Sequence, residues 1–367
     1  MEEKNILYFT RTMDIGGTEK VIMQLCRYFN NKFNKIVVCS RGGIHEVELN
    51  KLGIKHYKIN DIENKNPINI IKTFINVFKI IKRENINIVH THHRMAAFYA
   101  SILKNVFKFK FINTAHNTFY DKILFTKLAL KNANIVSVGK KVKENLIDVY
   151  KLDPNQITVI YNGIEKNDEP IIEIPELKKY KDDGYFLVGN IGRLSEQKGM
   201  EYYIKAIPNV IKKFPKIMFY IVGDGEDKEK LHQLAKELHV ENNLTFLGFR
   251  SDVSNVIKQL DLVVLSSLWE GLPLTPIEVF SEGKSVIATD VDGTPEIVID
   301  QYNGLLIKPK CSDDICNGII KLINCDKERK EMEKNSYNTY LKKFSIEKFQ
   351  KEYLKYCNEI INEKGGF

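Results

Sequence analysis

The stretch Tyr185-Phe186-Leu187-Val188-Gly189-Asn190-Ile191-Gly192-Arg193-Leu194-Ser195-Glu196-Gln197-Lys198-Gly199 passes from an apolar run into a charged turn bordered by glycines. The run is short and apolar throughout, as expected of a strand buried on both faces, and a helical pattern follows the turn. Strand, tight turn and helix in that order make one βα unit. The same unit recurs along the chain. Strands are predicted at Asn5–Thr10, Lys35–Ser40, Ile86–His90, Lys110–Thr114, Ile135–Val138 and Ile157–Tyr161. A second series is predicted at Tyr185–Ile191, Lys216–Val222, Leu244–Leu247, Leu262–Leu265, Ser285–Thr289 and Gly304–Ile307. Helices fill most gaps; over Thr18–Asn30, for instance, Val21, Ile22, Leu25, Cys26 and Phe29 fall on one face. Such alternation predicts an α/β protein with doubly wound parallel sheets. Between the two series, Glu165–Asp183 is charged and contains Pro170 and Pro175, and it reads as an interdomain linker. Two Rossmann-like domains are therefore expected, residues 1–170 and 171–345, with a helix over 346–367 returning toward the first. The stretch Asp326–Glu363 reads as polar and helical.

With 367 residues, 43% of them hydrophobic, the chain can bury the cores that two such domains need. Its longest apolar runs, such as Leu262–Leu265, fall far short of the roughly 20 residues that cross a bilayer. The N-terminal residues lack the basic and apolar regions of a signal peptide, so a cytoplasmic location is expected. The six cysteines include no Cys-x-x-Cys pair and read as reduced packing residues. Charge is uneven: residues 1–170 carry 27 basic and 16 acidic side chains, the remainder 28 and 31, and residues 72–143 alone carry 14 and 2. That field suits an anionic partner, whether nucleic acid, phospholipid or a diphosphate-linked acceptor, and an AT-rich genome filling exposed positions with lysine would also produce it. Within Lys72–Arg83, Phe74, Val77, Phe78 and Ile81 share one helical face with lysines beside it, which suggests peripheral contact with an anionic membrane.

Motifs with chemical content follow predicted strands. Asp14-Ile15-Gly16-Gly17-Thr18-Glu19 would bring backbone N–H groups close to an anion at a helix start, although a plain strand-to-helix turn looks similar. In the opening stretch, Arg193 and Lys198 are five residues apart at a second helix start, a spacing that suits a diphosphate. In Ser266-Ser267-Leu268-Trp269-Glu270-Gly271-Leu272-Pro273-Leu274-Thr275-Pro276-Ile277-Glu278, Glu270 falls in a loop where no structural partner for it is apparent. Glu278 reads either as a ligand for hydroxyls or as the capping-box partner of Thr275. Asp290-Val291-Asp292 has the form of a metal-binding pair, and His90, His92 and His93 that of a zinc cluster. Neither is adopted, because short acidic motifs arise by chance and no further ligand completes a tetrahedral set. Phe107, Phe109 and Phe111 alternate with lysines as in an edge strand.

Together these residues resemble the retaining glycosyltransferases of the GT-B fold, of the family-four type, over nearly the whole chain. Glu270 and Glu278 within Glu-Gly-Leu-Pro carry the resemblance, supported by Gly192-Arg193-Leu194, Lys198-Gly199, Gly223-Asp224-Gly225, Asn162-Gly163-Ile164 and Thr294-Pro295-Glu296. The resemblance implies that Arg193 and Lys198 hold the diphosphate of a nucleotide-sugar donor, aided by backbone N–H groups at Gly271 and Leu272. It implies that Glu278 binds the ribose and that Glu270 faces the transferred sugar. His116, in Thr114-Ala115-His116-Asn117, matches a histidine that contacts the donor sugar, and Gly16 and Gly17 would close on the diphosphate. Asp292 stands where the family more often has glycine, and Ser285 replaces a frequent proline; neither is expected to touch the donor contacts. The implied activity is transfer of a hexosyl or N-acetylhexosaminyl unit, with a UDP-sugar favoured, to a lipid-linked or glycan acceptor. No cofactor and no metal are implied, and no nucleic-acid partner is expected. The alternatives are a sugar-nucleotide epimerase of the same fold and a non-catalytic anion- or nucleic-acid-binding protein.

Overall fold

The computed structural model describes residue 1 and residues 3–362. Close contacts group the chain into two compact units, Met1–Asn162 with Phe349–Phe367, and Gly163–Lys348. The first is built on β1 (Asn5–Phe9), β2 (Lys35–Ser40), β3 (Lys55–Lys58), β4 (Ile88–Thr91), β5 (Lys110–Ala115), β6 (Asn134–Ser137) and β7 (Ile157–Val159). These form one sheet in the order β3-β2-β1-β4-β5-β6-β7, parallel throughout. The chain winds outward from β1 to β3 and then crosses back to β4, so its winding reverses between β1 and β4. All five residues of β1 are buried, as a central strand covered on both faces requires.

The second unit repeats the plan with β8 (Phe186–Ile191), β9 (Ile217–Val222), β10 (Leu244–Gly248), β11 (Leu262–Leu265), β12 (Val286–Thr289) and β13 (Gly304–Ile307). Its sheet has the order β10-β9-β8-β11-β12-β13 and is again parallel. Here the reversal falls between β8 and β11, where Val188 pairs with Leu262 and Gly189 with Val263. Val188, Ile207, Phe219, Val264 and Ile319 meet in its core. The expected architecture of two doubly wound parallel sheets is thus present.

Several local expectations need correction. The strand β3 was not predicted, because Lys55-His56-Tyr57-Lys58 is polar and sits at the sheet edge with both lysines exposed. The supposed linker contains the helix Pro175–Asp182, with Pro175 at its first turn and Leu177 fully buried. Its approach is fastened by Asn255 and Gln259, whose side-chain oxygens accept from the amides of Ile172 and Ile174 at 2.9 and 3.0 Å. The alternating phenylalanines do not mark an edge strand: β5 begins only at Lys110 and is paired on both sides, by β4 and β6. In the helix Pro67–Arg83, Val77 and Ile81 are buried in the protein and Phe74 packs edge-on against Tyr99, so most of that face belongs to the core, while Phe78 stays exposed beside Phe107. The face left to solvent carries Ile68, Ile71 and Ile75. The polar helical stretch is divided, with Asp326–Thr339 and Ile346–Asn362 separated by a wider turn over Tyr340–Phe344. Its last predicted residue, Glu363, lies outside the described residues.

The helix Ile346–Asn362 enters the first unit at Phe349. There Tyr353, buried, lies 3.0 Å through its hydroxyl from Thr114 Oγ1 on β5. Tyr353→Ala is expected to lower the unfolding free energy of the full chain by about 3–4 kcal/mol through the cavity it leaves. Tyr353→Phe, losing only the hydrogen bond, is expected to cost about 1 kcal/mol. Denaturant titration of both variants checks the ordering.

Candidate functional site

In open parallel sheets, ligands bind beyond the carboxyl ends of the strands, where the winding reverses. In the second unit that position is flanked by the loops following β8 and β11. The first runs from Gly192 through a single turn at Glu196–Lys198 to Gly199 and opens the helix Met200–Lys213. Gly199 has φ +55°, and a Cβ there would stand 2.3 Å from the Ser266 carbonyl oxygen, so only glycine fits this crossing of the two loops. Cross-links fix the crossing. Asn190 Nδ2 donates to Ser266 Oγ at 2.9 Å, and Ser266 Oγ donates to the Lys198 carbonyl at 2.9 Å. The Leu268 amide donates to the Gln197 carbonyl at 2.7 Å, and Gln197 Nε2 to the Trp269 carbonyl at 3.0 Å.

The crossing brings Lys198 to Glu270, with Nζ 2.5 Å from Oε1. Glu270 is buried, and Ser267 Oγ donates to the same oxygen at 2.7 Å. The expectation that Glu270 has no structural partner is therefore overturned: a carboxylate withdrawn from water has to be met by a cation and hydrogen bonds, and it is. Asp292, expected to stay clear of the donor contacts, instead accepts through Oδ2 from the Glu270 amide at 2.8 Å. This residue touches the proposed donor loop directly, and its side chain serves there as a fastener within the protein. The Arg193 guanidinium is exposed and meets Glu226 at 3.1 Å. Glu278 lies within the helix Leu274–Ser281, whose N-cap is Pro273 and has no side-chain cap bond. Thr275 is thus already helical, and the capping-box alternative is not realised. Gly271 and Leu272 lead into this helix, where the first backbone N–H groups have no intrahelical acceptor.

In the first unit, Gly16 is the extended N-cap of the helix Gly17–Phe29, and Thr12 Oγ1 donates to Glu19 Oε1 at 2.7 Å just beside it. His90 lies in β4, His92 directly follows that strand, and His116 follows β5. The histidines read as a possible zinc cluster do not converge. His90 Nε2 is 2.8 Å from Thr114 Oγ1, whereas His93 Nδ1 accepts from the Met95 amide at 3.2 Å and its Nε2 faces Glu63 at 3.4 Å. His92 turns instead to His116, with Nδ1 and Nε2 3.0 Å apart and the rings stacked. Burial holds His116 down to about 4, and burial with the neighbouring His116 holds His90 down to about 3. His92 is depressed well below the ordinary imidazole range by burial first and then by His90 and His116. All three rings are neutral at pH 7. His92, His93, Arg94, His116 and Phe119 line a cavity of about 200 Å³.

Sequence reading did not find Ser267, Asp292, Glu226 or His92 as partners. Ser267 had a signal, since a hydroxyl three residues before an acid can reach it in a turn. Glu226, which meets Arg193 from a loop 33 residues away, had none.

The chain is similar to known proteins over both units. Residues 15–168 match the model of Glycosyltransferase Family 4, and residues 173–339 that of Glycosyl transferases group 1. An uncharacterized glycosyltransferase of Methanocaldococcus jannaschii is 30% identical over 95% of this chain and 96% of its own. The UDP-Gal:alpha-D-GlcNAc-diphosphoundecaprenol alpha-1,3-galactosyltransferase of Escherichia coli is 28% identical over 91% of both chains. The structure of Anabaena Alr3699/HepE in complex with UDP-glucose superposes with a TM-score of 0.83 at 21% identity, covering 97% of this chain and 99% of that one. With both halves matched in order and a relative alike over almost its full length, the chain belongs to the family-four glycosyltransferases of the GT-B fold.

Proposed function

We propose that the chain moves a hexosyl or N-acetylhexosaminyl unit from a UDP-sugar to a hydroxyl of a lipid-linked or polysaccharide acceptor, retaining the anomeric configuration and requiring no metal. The observation that carries the reading is the meeting of Lys198 with Glu270 where the loops after β8 and β11 cross, with Arg193 on the same loop. In the proposal Arg193 and Lys198 take the donor diphosphate together with N–H groups at Gly271 and Leu272, Glu278 takes the ribose hydroxyls, and Glu270 lies beside the reacting carbon. His116, Gly16 and Gly17 keep the donor-side roles that the resemblance gives them. The bond from the anomeric carbon to the phosphate oxygen breaks, the acceptor oxygen bonds to that carbon on the same face, and the acceptor proton passes to the departing phosphate. Fixed cations at the leaving group supply the electrostatic stabilisation that the step needs. The names of the Escherichia coli and Anabaena relatives support uridine as the base, and the former supports a diphosphate-linked lipid acceptor. A sugar-nucleotide epimerase would need no acceptor and would leave the sugar nucleotide intact.

Contact with an anionic membrane belongs to the same proposal. No helix among the described residues is long and apolar enough to cross a membrane. The helix Pro67–Arg83, however, exposes Ile68, Ile71 and Ile75 at 64, 59 and 46% of their full area, with Lys72, Lys79 and Lys82 beside them.

Four tests bear on the reading. UDP at a hundredfold excess over its dissociation constant is expected to stabilise the wild type by about 2.7 kcal/mol, with EDTA present or absent, and to stabilise Glu278→Ala much less; no shift with any nucleotide would overturn the donor site. Arg193→Ala, on an exposed side chain, is expected to keep stability within about 0.5 kcal/mol while losing at least tenfold in kcat/KM for the donor. Lys198→Ala, which strands the Glu270 carboxylate, is expected to lose about 3 kcal/mol of stability as well as activity. Near-wild-type turnover of Arg193→Ala would sink its assignment. In liposome flotation, Ile71→Glu with Ile75→Glu is expected to weaken recovery with anionic vesicles, and equal recovery of the wild type with anionic and neutral vesicles would remove the membrane contact.

A further inference from the structure

His92 and His116 share one hydrogen bond, Nδ1 to Nε2 at 3.0 Å. Since both rings are neutral, one of the two facing nitrogens carries the proton and the other accepts it. The choice is set at the far side of His92. Its Nε2 is closed off from solvent and has no hydrogen-bond partner among the described residues. If His116 were the donor, His92 would have to carry its own proton on that Nε2, which would bury an N–H with nothing to receive it. If His92 donates through Nδ1, its Nε2 is a bare lone pair, and an unmet acceptor is more readily tolerated in a protein interior than an unmet donor. The second arrangement prevails. It leaves His116 with Nε2 as acceptor and its single proton on Nδ1. That nitrogen has no partner among the described residues and is not among the atoms closed off from solvent. His116 is half-buried and lines the cavity beyond the ends of β4 and β5.

We infer that His92 is a positioning residue that fixes the tautomer of His116, so that His116 presents Nδ1–H, a hydrogen-bond donor, to an oxygen of the bound substrate. The substrate group it selects is an acceptor oxygen, a sugar hydroxyl or a phosphate oxygen. An amine or any other donor-only group would meet the wrong polarity. Neighbouring groups support the arrangement without competing for it. His90 is engaged with Thr114 through Nε2 at 2.8 Å, and Thr114 with Tyr353 at 3.0 Å, so β4, β5 and the C-terminal helix brace the ring that lies tilted against His92. The inference rests on the proposed role of His116 in substrate contact, but the tautomer can be read without any substrate.

The test uses the full chain labelled with ¹⁵N-histidine. Long-range proton–nitrogen correlation at pH 7.5 resolves which nitrogen of each of the eight histidines bears the proton, with His116→Ala and His92→Asn providing assignments. The expected result is protonated Nδ1 on both His92 and His116. Protonated Nε2 on His116 would overturn the inference. Steady-state kinetics give a second readout. His92→Leu, which keeps bulk but supplies no donor, is expected to raise KM for the donor sugar nucleotide about tenfold, the worth of one hydrogen bond. His92→Asn, whose amide N–H stands where Nδ1–H stood, is expected to recover most of that loss. Recovery by Leu and not by Asn would mean that His92 only fills space. If the tautomer is as inferred and His116→Ala nevertheless keeps wild-type kinetics, the substrate contact of His116 fails while the assignment of its proton stands.

Discussion

A carboxylate that is only 7% exposed loses the water that would otherwise stabilise its charge, and Glu270 is such a carboxylate. Its replacement shell is Lys198 at 2.5 Å, Ser267 at 2.7 Å and, through its own amide, Asp292 at 2.8 Å. Lys198 is 72 positions away in the chain. The two can meet only if β8 and β11 lie side by side, if the turn before Met200–Lys213 is tight enough to aim Lys198 across, and if the backbones pass almost in contact. Each condition has a visible cause. Reversal of the winding puts β11 against β8, the left-handed Gly199 tightens the turn, and Gly293 lets its loop approach Gly271, where a Cβ would stand 2.0 Å from the carbonyl oxygen. The ion pair therefore ties the chemistry of the second unit to its topology.

The first unit meets the same topological position with a different device. Where the second unit gathers charge, the ends of β4 and β5 gather three neutral imidazoles, all depressed by burial and His90 and His92 also by neighbouring rings. A neutral ring offers direction and polarity without attracting every anion, which suits contact with a sugar better than contact with a phosphate.

The strands were legible because parallel sheets covered on both faces demand short, uniformly apolar runs, and twelve such runs stand out in the sequence. The thirteenth, Lys55–Lys58, was not, because an edge strand can be polar and is recognised only by the neighbour it pairs with. Amphipathic faces were ambiguous for a similar reason. Phe74, Val77 and Ile81 look alike whether they face a membrane or a neighbouring helix, and only Phe98 and Tyr99 beside Phe74 decide. At the site, residue types and their positions after strands could be read, but not pairings. Glu226 with Arg193, and His92 with His116, depend on loops that sequence distance does not relate.

Asp292 couples the loop after β12 to the loop after β11. It stands where the resemblance leads one to expect glycine, and its backbone explains why, since φ is +41°, in the left-handed region that disfavours side chains. Aspartate is among the few residues that accept that region, because its short polar side chain can bond locally. Here the bond goes to the amide of Glu270, so a residue that strains its own loop stiffens the next one. Glu270 is then fixed from its backbone by Asp292 and from its carboxylate by Ser267 and Lys198. In the proposed transfer a group so held would not have to reorganise as charge develops beside it, and such pre-organisation distinguishes an electrostatic site from a surface cluster of the same residues.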